Sequence, residues 1–182
     1  MNTSMMSQFL HTQPNSVAQG NPFYQQMLNA KRAAVKPGQV FIIMQFEGMD
    51  DVHSVIQEEC SRLDLTAKRA DEVAGGGLVM ADIDLFIRES EFIICDLSNE
   101  RPNVYYELGY AHGAGNISKN TLLIAKKNTT LHFDIASLRI EPYGDMVELR
   151  SVLATKLRLL TGERKWLPRA TEPAAPNFPS KV

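Results

Sequence analysis

Phe92-Ile93-Ile94-Cys95-Asp96-Leu97 is followed by Ser98-Asn99-Glu100-Arg101-Pro102-Asn103 and then by Val104-Tyr105-Tyr106-Glu107-Leu108-Gly109-Tyr110-Ala111-His112. The order reads as a buried strand, a short polar loop and a helix that carries a carboxylate in its second turn. A short, nearly continuous apolar run suits a strand covered on both faces, as in a parallel sheet. Ligands of open α/β sheets bind just outside the carboxyl ends of such strands. Helical side chains lean toward the helix N-terminus, so Glu107 is expected to look back at the loop.

The pattern repeats on either side. Val40 to Phe46 predicts a first strand, and Gly48-Met49-Asp50-Asp51 a turn in which Asp50 or Asp51 caps a helix. Val52, Val55, Ile56, Cys60 and Leu63 recur at helical spacing on that helix. Leu65 to Ala70 predicts a short second strand, Asp71 to Gly77 a loop and Leu78 to Glu89 a helix. Glu91 to Leu97 is the third strand, Thr121 to Ala125 the fourth and Arg139 to Tyr143 a weak fifth. Met146, Leu149, Leu153, Leu157 and Leu160 mark an amphipathic last helix. Strand–helix alternation with short loops predicts a doubly wound parallel sheet with five strands in the order 2-1-3-4-5.

Three regions follow. Residues 1–36 form an N-terminal arm in which Asn21-Pro22 starts a short helix through Phe23, Tyr24, Met27 and Leu28. That arm is either a loose tail or a segment packed on its own domain or on a second subunit. Lys31, Arg32 and Lys36 read as a solvated linker. Residues 37–165 form the α/β domain, and the Pro- and Ala-rich residues 166–182 a disordered tail.

Composition narrows the function classes. Of 182 residues 44% are apolar and the formal net charge is −2. With no basic face, neither nucleic acid nor an anionic membrane is an expected partner. Cys60 and Cys95 read as buried free thiols, which suits a reducing cytosol. No basic stretch followed by an apolar run opens the chain, and no apolar stretch reaches the ~20 residues of a membrane span. The expected location is cytoplasmic. His11, His53, His112 and His132 have no metal-ligand spacing among themselves or with the cysteines, so no metal is expected. Gly75-Gly76-Gly77 follows strand two and lacks the Gly-x-Gly-x-x-Gly pattern; it reads as a flexible lid or a tight turn. No cofactor is expected. The absence of a Gly-x-Ser-x-Gly elbow disfavours a serine hydrolase.

The ends of strands one, two and three supply the candidate site. Met44 and Phe46 close strand one, Asp71 closes strand two, Asp96 and Ser98 close strand three, and Asn103 and Glu107 share a helix face. An aromatic ring, several carboxylates and amide or hydroxyl groups suit a nucleoside-like ligand. Plainer roles stand beside these. Asp96 can bond loop amides, Asn103 can cap the helix, and Glu107 can form a surface ion pair. Tyr105 and Tyr106 can be packing residues, and His112 a C-terminal cap. Arg69 and Arg101 are either phosphate ligands or solvated surface groups.

The segment Asp96-Leu97-Ser98…Arg101-Pro102-Asn103-Val104-Tyr105-Tyr106-Glu107-Leu108-Gly109-Tyr110-Ala111-His112 resembles the signature of the nucleoside 2-deoxyribosyltransferase-like superfamily. It is most similar to the bacterial branch described as Toll/interleukin-1-receptor-like (TIR-like) or nucleotide-binding. Phe41 to Phe46 resembles that branch's opening strand, with Gln45 where Pro is commoner. Arg69-Ala70-Asp71-Glu72, Phe133-Asp134 and Arg139 to Tyr143 resemble later elements. The resemblance covers about residues 39–143. It implies a flavodoxin-like fold and cleavage of an N-glycosidic bond, with Glu107 as nucleophile or oxocarbenium stabiliser. It also implies that Phe46 contacts the base and that Asp71 and Asp96 place base and sugar.

The leading expectation is an N-glycosidase or ribosyltransferase acting on a nucleoside monophosphate, a nucleoside or a dinucleotide such as NAD. Asp71 or Asp96 would protonate the leaving base. A non-catalytic nucleotide sensor or TIR-like interaction module in bacterial defence signalling is the alternative. A purely structural oligomer built on Tyr105 and Tyr106 is the third reading. A homo-oligomer is expected in any of these.

Overall fold

A computed structural model of the protein describes residues 22–73, 80–116, 120–131, 135 and 138–162. The expectations for the chain before Pro22, for Gly75 to Gly77, for Phe133-Asp134 and for the C-terminal tail lie outside the described residues. So do the side chains of Phe23, Tyr24, Met27 and Leu28.

The elements run α1 (Pro22–Ala34), β1 (Lys36–Ile43), α2 (Asp50–Ser61), β2 (Thr66–Arg69), α3 (Ala70–Val73), α4 (Met80–Glu89), β3 (Ser90–Asp96), α5 (Pro102–Gly113), β4 (Thr121–Lys126), β5 (Ile140–Tyr143) and α6 (Met146–Gly162). The five strands form one sheet in the order β2-β1-β3-β4-β5, every neighbouring pair parallel. This is the doubly wound α/β architecture that the sequence predicts.

The strand sequences look uniformly apolar because both faces are covered. Val40, Ile42, Phe92, Ile94 and Ile124 pack against Val52, Val55 and Ile56 of α2 and Leu149, Leu153 and Leu157 of α6. The alternate residues Phe41, Ile43, Ile93, Cys95 and Leu123 pack against Ile83 and Ile87 of α4 and Val104, Leu108 and Ala111 of α5. Successive strand residues point to opposite faces, so each strand feeds both cores.

Several local expectations are corrected. Neither Asp50 nor Asp51 caps α2: Met49 is its N-cap residue, no side chain closes the cap, and both carboxylates sit in the first turn. There they oppose the positive end of the helix dipole. Asp145 is the aspartate that caps, its Oδ1 accepting from the Val147 and Glu148 amides at 2.9 Å each. The stretch after β2 is not all loop, because Ala70–Val73 forms one helical turn.

Lys31 is the larger correction. It is not solvated linker but a buried residue of α1. Its Nζ donates to the carbonyls of Ile87 (2.8 Å), Arg88 (2.9 Å) and Ser90 (2.7 Å). These are carbonyls at or just beyond the C-terminal end of α4, which the helix itself leaves without donors. Lys31 thus ties arm to domain through all three N–H donors of its protonated form, whose pKa burial and the Arg88 charge lower to about 7.

Candidate functional site

A cleft of about 510 Å³ opens beyond the carboxyl ends of β1 and β3, where the strand order reverses. The chain leaving β1 contributes Met44, Gln45 and Phe46. The first turns of α5 contribute Asn103, Tyr106 and Glu107 from the other side. Pro102 begins α5 with a backbone angle already suited to a helix, and Arg101 precedes it in extended conformation. Asn103 and Glu107, four residues apart, therefore share one face and point at the same space.

Glu107 is half-buried, and burial pushes its carboxyl up to about 7. Among the described residues no hydrogen bond or ion pair holds it. The surface ion pair considered for it is not formed. It also borders a second cavity of about 300 Å³ between α4 and α5, lined by Ile83, Ile87 and Tyr110 among others. Tyr106 is exposed at the rim of both cavities, so it does not fill the packing role considered for it.

Phe46 lines the cleft and keeps 38% of its surface open to solvent. Its ring is held by Arg69, whose guanidinium carbon lies 5.2 Å from the ring centroid. Arg69 is buried, which removes the solvated-surface alternative considered for it. Its Nε and Nη2 donate to the two oxygens of Asp71 at 2.7 and 2.8 Å. The guanidinium holds the Asp71 carboxyl below the usual carboxylate range. Asp71 thus stands one residue removed from the cleft and reaches it through Arg69 and Phe46.

The residues at the end of β3 divide. Cys95 faces the α5 layer, so Asp96 faces the opposite one. Asp96 Oδ2 accepts from the Tyr143 hydroxyl at 2.7 Å, and Oδ1 from the Ser98 amide at 2.8 Å. Ser98 Oγ lies 3.2 Å from the Tyr143 hydroxyl and accepts from the Lys126 amide at 2.8 Å. Burial raises the Asp96 carboxyl, while the bonds from Ser98 and Tyr143 pull it back. The structure therefore brings together Met44, Phe46, Asn103 and Glu107. It leaves Asp71, Asp96 and Ser98 outside the cleft lining. Asp96 and Ser98 instead tie the loop before α5 to β4 and β5.

Gln45 was not among the expected site residues, yet Arg101, one of the two arginines considered for phosphate, donates through Nε to Gln45 Oε1 at 2.7 Å across the cleft mouth. The one available signal was the polar Gln45 at the end of an otherwise apolar strand. Tyr143 gave no signal as part of a buried polar cluster, because a strand-end tyrosine reads as packing. His112 lies elsewhere, half-buried beside Thr121, Glu141 and Lys156 in a cavity of about 250 Å³. Burial lowers its imidazole pKa. Ala114, not His112, is the C-cap residue of α5.

Among the described residues no three His, Cys, Asp or Glu side chains gather as a metal would require. No helix among them is long and apolar enough to cross a membrane. No protein-family model and no curated protein matches this chain.

Proposed function

We propose that the protein cleaves or transfers the base–sugar bond of a nucleotide or nucleoside, with Glu107 as nucleophile or oxocarbenium stabiliser. The observation that carries this is a carboxyl, raised by burial and without hydrogen-bonding or ionic partners among the described residues, that shares a cleft with a part-exposed aromatic ring. The ring offers a stacking surface for a base, and Asn103 and Gln45 offer polar contacts for sugar hydroxyls. Arg101, which among the described residues pairs only with the neutral Gln45, makes the mouth cationic and suits a phosphate.

The chemistry runs on charge. When the bond from the anomeric carbon to the base nitrogen breaks, its electron pair leaves with the base and the sugar ring becomes cationic. An ionised Glu107 stabilises that cation or bonds to its anomeric carbon, and water or a second base then releases the sugar. Asp71 and Asp96 do not line the cleft and Glu107 is the only acid among its described lining residues, so in this reading the departing base takes its proton from solvent at the open mouth. Activity needs Glu107 ionised, so kcat/KM rises with pH through about 7.

Incubation with a panel of nucleosides and nucleotides, followed by chromatography for free base, tests this reading. Glu107→Gln should lose roughly 10²–10³-fold in rate or more. Equal cleavage by parent and variant, or no cleavage of any panel member, defeats the catalytic claim.

A second reading is binding without turnover. Glu107 is about half protonated near neutrality, and a protonated acid donates a hydrogen bond rather than attacking carbon. Saturable binding of a panel member with no free base formed would select this sensor over the enzyme.

A further inference from the structure

Phe46 has two faces with different surroundings. Arg69 sits over the ring but is absent from the cleft lining, so it approaches from the side away from the ligand space. Its guanidinium is gripped along one edge by both Asp71 oxygens, with Asp50 3.7 Å from Nη2. The remaining nitrogen, Nη1, is buried without a hydrogen-bond partner among the described residues. An unsatisfied buried donor carries a cost that an apolar residue filling the same space would not. What Arg69 supplies that such a residue cannot is a guanidinium seated against the ring, its charge offset in part by Asp71 and Asp50.

That charge has a chemical consequence. The face of an aromatic ring is electron-rich, and it attracts cations for that reason. A cation already seated on one face draws on that electron density and repels a second cation on the other. Resting on the nucleotide reading of the cleft, we propose that Arg69, held by Asp71, makes Phe46 a stacking platform for neutral bases and against permanently cationic ones such as an N-substituted pyridinium. Asp71 and Arg69 are positioning residues that act through Phe46 and touch no ligand. The proposal divides the expected substrates, favouring ordinary purine and pyrimidine nucleotides over the oxidised nicotinamide moiety of a dinucleotide.

Two probes vary the charge: nicotinamide mononucleotide and its hydride-reduced form, which share phosphate, ribose and ring substituent; reduction also ends the ring's aromaticity, so the change of their difference on Arg69→Met is what reports the charge. Calorimetry on the full chain reads both affinities. The parent should bind the reduced form more tightly, and Arg69→Met should shrink the difference by roughly three- to tenfold. A merely structural role for Arg69 would weaken both probes alike. Phe46→Leu, at a part-exposed position, guards against a poorly folded Arg69 variant; it should abolish the discrimination. Equal binding of the two probes by the parent overturns the proposal and leaves the nucleotide reading intact. A difference that persists unchanged in either variant overturns it as well. Failure of both probes to bind the parent overturns the proposal, while the nucleotide reading stands or falls with the base-release panel.

Discussion

Arg101 and Gln45 meet across the cleft mouth, Nε to Oε1, at 2.7 Å. Gln45 also donates through Nε2 to the Glu47 carbonyl at 2.7 Å, so the chain leaving β1 is braced against itself and against the start of α5. The contact spans the point where the sheet's strand order reverses. It is an exposed, charge-assisted bond between neutral and cationic partners, worth little to global stability but well placed to set the mouth's geometry. Gln45→Ala should leave the melting temperature nearly unchanged and raise KM or Kd for a phosphate-bearing ligand, with kcat affected less. An equal loss in kcat at constant KM would show that the bond serves the chemical step instead.

Glu107 should make the fold less stable as pH rises. Its folded pKa, about 7, lies above the ordinary value of 4.5. Between these values the folded state binds more protons than the unfolded chain, so stability declines with pH across that window and levels off above it. Glu107→Gln removes this decline. The variant should gain in denaturation midpoint relative to the parent at pH 8 but not at pH 4. Parallel pH–stability curves for the two proteins would show that the carboxyl is not desolvated as described.

Tyr143→Phe deletes the hydroxyl that donates to Asp96 Oδ2. The Asp96 carboxyl is buried and loses its Tyr143 donor, keeping only those from Ser98, a change that costs about 1–3 kcal/mol. Urea unfolding should show that loss, and the Asp96 carboxyl should rise further. Because Asp96 also holds the Ser98 amide, faster hydrogen exchange at Ser98 should accompany it. Unchanged exchange there would mean that the loop before α5 is held by other contacts.

Lys31→Met should release α1. The substitution fills similar volume but leaves the carbonyls of Ile87, Arg88 and Ser90 without their shared donor. Amide exchange across residues 22–34 should accelerate by one to two orders of magnitude, consistent with losing roughly 1–3 kcal/mol locally. Exchange in β1 and β3 should change far less, since both strands are packed between α2 and α6 on one face and α4 and α5 on the other. Uniform acceleration across the domain would show that arm and domain unfold as one unit.

The sheet was legible because its information is local. Apolar runs such as Phe41 to Met44 and Phe92 to Cys95, separated by helical spacing such as Val52, Val55 and Ile56, leave few ways to cover both faces of each strand. Asn103 and Glu107 were legible on the same ground, since one helix presents them together, and Phe46 because β1 delivers it to the switch point. Asp71, Asp96 and Arg69 were not. A single step along β3 decides that Asp96 turns from Glu107 toward Tyr143, 47 residues away in sequence. Burial of Arg69 depends on the meeting of Phe46, Asp71 and Asp50, which no short segment encodes. Lys31 looked solvated because its three acceptors lie 56 to 59 residues away. Hydrophobic periodicity settles which elements form and which face each buries. Only folding decides which polar side chains meet, because a buried charge is tolerated solely where partners from distant segments converge on it.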